Sequence, residues 1–181
     1  MGYYTSRDIT AIVMCAALWS VLSAYIAPIF WRATHMPFFC DMLGISVLTL
    51  AVWWTRKFGT ITITGIIATI ITLMLNPYAS QFFGFAAASV VFDALTRSFG
   101  YQSSSKKSVL SVVSLLFASI LSTAVAGVII ANLFMDANSL MAMFGGMTFF
   151  VVLHAAGGVI GGAIGLALIR ALSTRICHPK V

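Results

Sequence analysis

The chain has 181 residues, of which 61% are hydrophobic and only 8% charged, and its mean hydropathy is +1.05. A soluble domain carries about 25% charged residues. The 10 basic and 4 acidic side chains, with no Glu among them, are therefore too few to cover a water-facing surface. This composition excludes a soluble enzyme, a nucleic-acid-binding module and a disordered linker, and it predicts an integral membrane protein.

The uncharged stretches of the sequence predict six membrane-spanning helices. A helix crosses the hydrocarbon core of a bilayer with about 20 apolar residues. The uncharged run at 58–92 is too long for one crossing, and Asn76-Pro77 divides it, because proline disfavours helix at the residue before it. We expect a single all-α bundle over 1–181, without an ATPase domain of its own. The predicted helices are 9–31, 38–55, 60–76, 80–97, 108–134 and 141–169, the last with a bend or an interfacial start at Gly145-Gly146.

The first of these helices has a competing interpretation as a cleaved signal peptide. The apolar stretch of a signal peptide has about 7–15 residues, and the uncharged run at 9–31 is longer than that. We therefore expect a first helix that is retained in the membrane.

The basic residues predict the orientation of the bundle. With both termini in the cytoplasm, every Lys and Arg except Arg32 falls on the cytoplasmic side, which is the asymmetry expected of a multi-pass membrane protein. We expect the protein in the cell (plasma) membrane, where anionic lipid headgroups account for its net charge of +6 without a nucleic-acid partner. The cytoplasmic residues are Arg7, Arg56, Lys57, Arg97, Lys106, Lys107, Arg170, Arg175 and Lys180.

The three predicted outer loops combine aromatic and hydrogen-bonding residues, a mixture typical of small-ligand pockets. The alternative is that these residues only form the aromatic belt and the polar loops of any membrane protein. The candidate ligand contacts in or beside these loops are Trp31, Arg32, His35, Asn76, Tyr78, Gln81, Phe82, Asp136 and Asn138.

Three ionisable residues lie within the predicted helices, where such groups are costly and often functional. Asp41 is one turn into the second helix, where it serves either as a ligand contact or as a carboxylate favoured by the helix dipole. His154, near the middle of the last helix, either contacts the substrate or bonds to a neighbouring helix. Asp93 has Arg97 four residues later, and a surface ion pair explains it.

Metal binding and catalysis receive little support from the sequence. A cluster of metal-ligand types at 35–42 follows no standard zinc or haem spacing, so we expect no metal and no cofactor. The HExxH helix, the GxSxG turn and the phosphate-binding glycine loop are all missing from the sequence. We therefore expect that the chain is not an enzyme.

Two helices carry small residues at four-residue spacing, which allows close helix contact where lipid supplies no hydrophobic drive. In the last helix, packing inside the bundle is the simpler explanation. In the first helix, contact with another subunit is nearly as well supported. These residues are Gly157, Gly161 and Gly165 in the last helix, and Ala11, Cys15, Ala16 and Ser20 in the first.

Together these features resemble the substrate-binding S component of an energy-coupling factor (ECF) vitamin transporter. The resemblance covers nearly the whole chain and includes six helices with both ends inside. The segments that carry it are the opening from Arg7 to Leu18, the stretch from Met36-Pro37 to Gly44, the Asn76-Pro77 turn with Gly84-Phe85 after it, and the run from His154 to Gly165.

The resemblance implies that the chain captures a vitamin or related micronutrient from outside, in a pocket between the outer loops and the outer halves of helices 4–6. A membrane T component and two cytoplasmic ATPases would then power its release inside. The stripe that meets the T component would correspond to Ala11-Cys15 or to Ala16-Ser20, and neither is a strict AxxxA motif. Gly2 stands where the nickel and cobalt members of the family carry His, which argues against a metal substrate.

The ligand expected first is thiamine or its pyrimidine precursor. A flat heterocycle would stack on Trp31, Tyr78, Phe82 or Phe83, and Asp41 or Asp136 would supply the countercharge for a cationic ring. Riboflavin or a queuosine-type base would stack equally well.

Two other functions stay open. The first is a small secondary carrier, which would need Asp41, Asp93 or His154 for ion coupling. The second is a structural membrane subunit without a ligand.

Overall fold

The computed structural model describes residues 3–100 and 109–174, and these fold into seven helices without a strand. The predicted all-α class is confirmed. Lys106, Lys107, Arg175 and Lys180 of the predicted basic segments lie outside the described residues. The helices are α1 (Ser6–Thr34), α2 (Phe38–Thr55), α3 (Thr60–Leu75), α4 (Phe82–Ser98), α5 (Val109–Leu133), α6 (Ala137–Phe144) and α7 (Met147–Ser173).

Four of these helices are long and apolar enough to cross a membrane, namely α1, α2, α5 and α7. The helix α3 is apolar but has 16 residues, and α4 has 17. Length and composition therefore indicate a membrane protein with four candidate spans. That α3 and α4 also cross the membrane stays a prediction.

The predicted helix at 141–169 is wrong as one continuous element. Gly145 and Gly146 have φ angles of +67° and +121°, so the chain turns there between α6 and α7. Side chains rarely adopt these angles, whereas glycine does so at little cost. The predicted bend at this pair is confirmed, and it leaves α6 as a separate short helix.

Helix α1 is longer than predicted and contains one wider turn. A π turn at Leu22–Ile26 precedes Pro28, and the helix continues to Thr34. Proline lacks a backbone N–H, and such turns often accommodate the lost bond. The turn places Ser23, which is buried, on the inner side of the bundle.

Glycines let α7 approach two neighbours closely. A Cβ atom at Gly161 would lie 2.7 Å from the carbonyl oxygen of Met42 in α2, and one at Gly165 would lie 2.8 Å from Cβ of Thr49. A second stripe, which includes Gly158, faces Ser119 and Thr123 of α5. The predicted packing of these glycines inside one bundle is confirmed.

The small residues of α1 do not all face outward. Ala16 and Ser20 are fully buried, and the Ser20 hydroxyl donates a hydrogen bond of 3.0 Å to the carbonyl of Ala68 in α3. Their predicted contact with another subunit is therefore wrong, because α3 already covers them. Ala11 and Cys15 are only partly buried.

The bundle has two chemically different ends. At one end, Lys57 Nζ lies 2.7 Å from Asp8 Oδ2, and the Arg97 guanidinium lies 4.9 Å from the centre of the Phe58 ring. Gly157, Gly161 and Gly165 contact successively later residues of α2. The helices α2 and α7 are therefore parallel, and both end on this basic side. The opposite end carries the turns after α1, α3 and α5.

Candidate functional site

A cavity of about 390 Å³ lies at the end of the bundle opposite the basic residues. Its size falls within the range of small-molecule pockets, which is about 300–1,000 Å³. Its described wall contains no Asp, Glu, Lys or Arg. The aromatic part of the wall consists of Trp31, Phe82, Phe85, Phe134 and Phe150. The polar part includes Ser23, Cys40, Asn76, Gln81 and His154.

Five of the predicted ligand contacts come together in this wall although they are far apart in sequence. Trp31 comes from the last turns of α1, and Asn76 and Gln81 flank the turn between α3 and α4. Phe82 begins α4, and His154 lies two turns into α7.

The other predicted contacts lie outside the cavity wall. Arg32, His35 and Asn138 are exposed, and Tyr78 is 93% exposed. Asp136 forms the cap of α6, where its carboxylate accepts a hydrogen bond of 2.9 Å from the backbone N–H of Ser139.

The electrostatics of Asp136 follow from this cap. Hydrogen bonds from Ser139 hold the pKa of the Asp136 carboxyl below its usual value. Its charge therefore stabilises α6 rather than serving a ligand in the cavity.

Asp41 lies behind His154 and not in the cavity wall. The two residues are 1% exposed each, and His154 Nδ1 lies 2.6 Å from Asp41 Oδ2. The two atoms are close enough for a hydrogen bond, but the alignment of their groups departs from that of one. The sequence offered two interpretations for each residue, and the structure joins them into one pair.

The imidazole ring of His154 is held from several sides. Its centre lies 4.6 Å from the Phe150 ring and 6.1 Å from the Phe85 ring. A Cβ atom at Gly127 would lie 3.1 Å from Cβ of His154, so the glycine lets α5 pass close to the ring. These contacts orient the ring, with Nδ1 towards Asp41 and the ring against the cavity.

The polar atoms of this pair are buried without hydrogen bonds. Neither ring nitrogen of His154 and neither carboxylate oxygen of Asp41 makes a hydrogen bond within the described chain, although Nδ1 and Oδ2 lie close together. Buried polar groups in proteins are almost always hydrogen-bonded. A buried histidine that lines a cavity and makes no hydrogen bond through its ring is therefore a candidate to bind a polar group of a ligand.

Asp93, unlike Asp41, is held by hydrogen bonds from a neighbouring helix. Its predicted place on the surface is wrong. It is completely buried, and its carboxylate accepts hydrogen bonds from the backbone N–H and the hydroxyl of Thr62, at 3.1 and 2.9 Å. This carboxylate connects α3 to α4 and lies outside the cavity wall.

The metal-ligand types that cluster in the sequence at 35–42 diverge in the fold. His35 and Met36 are exposed, whereas Asp41 faces His154 inside the bundle. Among the described residues, no three His, Cys, Asp or Glu side chains come close enough together to hold a metal ion.

Sequence reasoning missed much of the aromatic wall. Phe85, Phe134 and Phe150 lie in or beside apolar helices, where nothing in the sequence separates a side chain facing a cavity from one facing lipid. Ser23 and Cys40 were missed for the same reason, although the proximity of Cys40 to Asp41 offered one signal.

No protein-family model, curated protein or solved structure matches this chain. The functional interpretation of the cavity therefore depends on its own geometry and chemistry.

Proposed function

We propose that this protein is the substrate-capture subunit of an ECF-type importer in the cell membrane, and that it binds a vitamin-like heterocycle in the cavity. The observation that carries the proposal is the cavity itself, an aromatic chamber that is lined in part by His154 and by a few further polar side chains. Flat rings stack on aromatic side chains, and a few placed polar groups orient them.

The two ends of the bundle support an outward-facing cavity. Arg56, Lys57 and Arg97 lie at the end opposite the cavity, and the positive-inside rule would place that end in the cytoplasm. The proposed topology has six spans. The 16 residues of α3 would extend over about 24 Å, slightly less than the bilayer core, and a short helix is accommodated by local thinning of the bilayer.

The proposed partners are a membrane T component and two ATPase subunits. Ala11 and Cys15 are the part of the α1 stripe that stays accessible for such a contact. Large apolar side chains on the same helix, including Met14 and Ile29 at 66% exposure each, are suited to lipid or to another membrane helix.

The test of capture is mass spectrometry of the small molecules released when detergent-purified protein is denatured. We expect one heterocyclic compound at about one molecule per chain, and its loss from a Trp31→Ala variant. Tyr78→Ala is the matched control, because this aromatic residue lies outside the wall. An empty extract after incubation with a vitamin mixture would contradict the proposal.

The buried Asp41–His154 pair favours a second candidate, a proton-coupled carrier. Carboxylate and histidine groups within membrane helices are typical of proton relays. Reconstitution separates the two functions. A carrier would drive uptake into proteoliposomes with a proton gradient alone, whereas a capture subunit would need the ATPase partners.

A further inference from the structure

We infer that the turn between α3 and α4 recognises the polar edge of the ligand through the carboxamides of Asn76 and Gln81, and that the ligand is an unphosphorylated heterocycle with a hydrogen-bond donor beside an acceptor. The inference deepens the proposed function by naming the chemical class of ligand and the residues that select it. It rests on that proposal for the presence of a ligand in the cavity.

Both carboxamides belong to parts of the wall that a ligand can reach. Asn76 ends α3 and Gln81 directly precedes α4, and both residues line the cavity. Each is only partly buried, whereas the hydroxyl of Ser23 in the same wall is completely buried. The two side chains therefore offer neutral hydrogen-bonding groups at the outer end of the cavity.

The backbone of the turn fixes the side chain of Asn76. Its carbonyl oxygen accepts a hydrogen bond of 3.1 Å from the N–H of Ala79, and its side-chain Oδ1 accepts one of 3.2 Å from the N–H of Tyr78. A β-turn favours Asn at its first position and Pro at its second, because proline presets the backbone angle φ. The pair Asn76-Pro77 thus orients the carboxamide before any ligand binds.

That orientation decides which atom of Asn76 is left for a ligand. A backbone N–H can only donate, so the side-chain atom that it contacts is the oxygen. The other amide atom, Nδ2, is a donor and makes no hydrogen bond within the described chain. Asn76 therefore requires a hydrogen-bond acceptor on the ligand.

Gln81 adds both a donor and an acceptor. Its carboxamide has an accepting oxygen and a donating NH₂ group, and neither is bonded within the part of the chain that the structure describes. A carboxamide forms two parallel hydrogen bonds with an edge that carries a donor beside an acceptor, as Gln does with adenine. An aminopyrimidine and a cyclic amide both have such an edge.

The charge of the wall selects against an anionic ligand. The described wall contains no Lys or Arg, and Arg32 is exposed outside it. His154 has the carboxylate of Asp41 at 2.6 Å, so it supplies no uncompensated positive charge. A phosphate in the cavity would be buried without a countercharge, which is costly. The cavity should therefore prefer the unphosphorylated form of a heterocycle to its phosphate ester.

The experiment measures the binding of matched probes by calorimetry on the dialysed, detergent-purified full-length chain. The probes are 4-amino-5-hydroxymethyl-2-methylpyrimidine, which has the aminopyrimidine edge, riboflavin, which has the cyclic-amide edge, and the phosphate ester of each. We expect one of the two unphosphorylated compounds to bind, and its ester to bind at least about tenfold more weakly. Equal or tighter binding of the ester, or no binding of either unphosphorylated compound, would overturn the inference.

Asn76→Asp separates recognition of the ligand from the structure of the turn. Aspartate keeps an oxygen for the N–H of Tyr78 but replaces the Nδ2 donor with a second acceptor. It should preserve the midpoint of thermal unfolding and weaken binding of the unphosphorylated probe at least about fivefold. Gln81→Met removes both hydrogen-bonding groups at similar size and should weaken binding to a similar extent.

The matched control is Ser80→Ala, which alters an exposed residue of the same turn outside the cavity wall. It should change neither the unfolding midpoint nor the affinity. Unchanged affinity in Asn76→Asp or in Gln81→Met, or an equal loss in Ser80→Ala, would overturn the inference. If Asn76→Asp fails to fold, Gln81→Met still decides, because the Gln81 side chain makes no bond within the described turn.

These measurements distinguish failure of this inference from failure of the proposed function. A heterocycle that copurifies with the chain and binds equally well to both carboxamide variants would reject the inference and leave the capture function in place. Uptake of a probe into proteoliposomes by a proton gradient alone would instead reject the ATP-driven importer, while recognition by Asn76 and Gln81 would stand.

Discussion

The region behind the cavity wall and the junction of α3 with α4 both contain a buried aspartate, yet the two sites differ in how that aspartate is bonded. Asp93 at the junction accepts hydrogen bonds from the backbone and the side chain of Thr62. Asp41 behind the cavity wall lies 2.6 Å from His154, and neither the carboxylate nor the imidazole ring makes a hydrogen bond in the described chain. Burial alone therefore does not mark a functional carboxylate. The distinguishing feature is an unbonded polar atom next to a cavity.

The largest expected effect comes from removing the imidazole of His154 from the cavity wall. His154→Ala should weaken binding of the copurified ligand by about 10- to 100-fold, since a buried polar group that loses its hydrogen-bond partner costs about 1–3 kcal/mol. The measurement is the dissociation constant by calorimetry. His154→Gln retains a hydrogen-bonding side chain at this position and should recover part of the affinity. Unchanged affinity in both variants would remove His154 from the site.

A second prediction alters the distance between Asp41 and His154 without changing either residue. A Cβ atom at Gly157 would meet the carbonyl of Phe38, and it would lie 2.8 Å from Cβ of Asp41. Gly157→Ala should therefore push α7 away from α2, lower the free energy of unfolding by about 1–3 kcal/mol and weaken ligand binding.

The matched control for Gly157→Ala is Ala163→Val, which adds bulk on the exposed face of the same helix. It should change neither stability nor affinity, as judged by thermal unfolding and calorimetry. A similar loss of stability in both variants would mean that α7 tolerates no added volume on any face. The close approach of α7 to α2 would then not explain the effect of Gly157→Ala.

A third prediction addresses the junction. Asp93→Asn replaces a carboxylate that accepts two hydrogen bonds from Thr62. It should lower the free energy of unfolding by about 1–3 kcal/mol, because the backbone N–H and the hydroxyl of Thr62 are left with a weaker acceptor. Ligand affinity should not change. A loss of ligand affinity in Asp93→Asn comparable to that expected for His154→Ala would contradict the distinction between the two sites.

The smallest expected effect concerns Asp136, the predicted contact that caps α6. Its pKa is lowered in the folded protein by hydrogen bonds from Ser139. The stabilisation is therefore present above the carboxyl's unfolded pKa of about 3.9 and is lost as the pH falls through the lower folded value. Thermal unfolding followed from pH 7 to pH 3 should show a loss of stability with acid, and this loss should be smaller in Asp136→Ala than in the unsubstituted chain. An identical pH profile for both chains would contradict this role.

Several features of the protein were predictable from the sequence because they depend on local composition. The apolar runs predicted an all-helical chain, and the bounds 38–55 of α2 were predicted without error. The glycine spacing in α7 predicted close helix packing, since a missing side chain allows approach whatever the neighbour. The break at Gly145-Gly146 was also predictable, because glycine adopts backbone angles that other residues avoid.

Only the tertiary structure decided which residues form the site. Asp41 and His154 are far apart in sequence, and their contact depends on Gly157 bringing α7 against α2. In a membrane protein, lipid and core are equally apolar, so the sequence does not reveal which face of a helix points inward. For that reason Phe134 and Phe150 went unrecognised, while Tyr78 and Asn138 were expected at a cavity that they do not line. The sequence by itself determined the class and the helices, and packing determined the site.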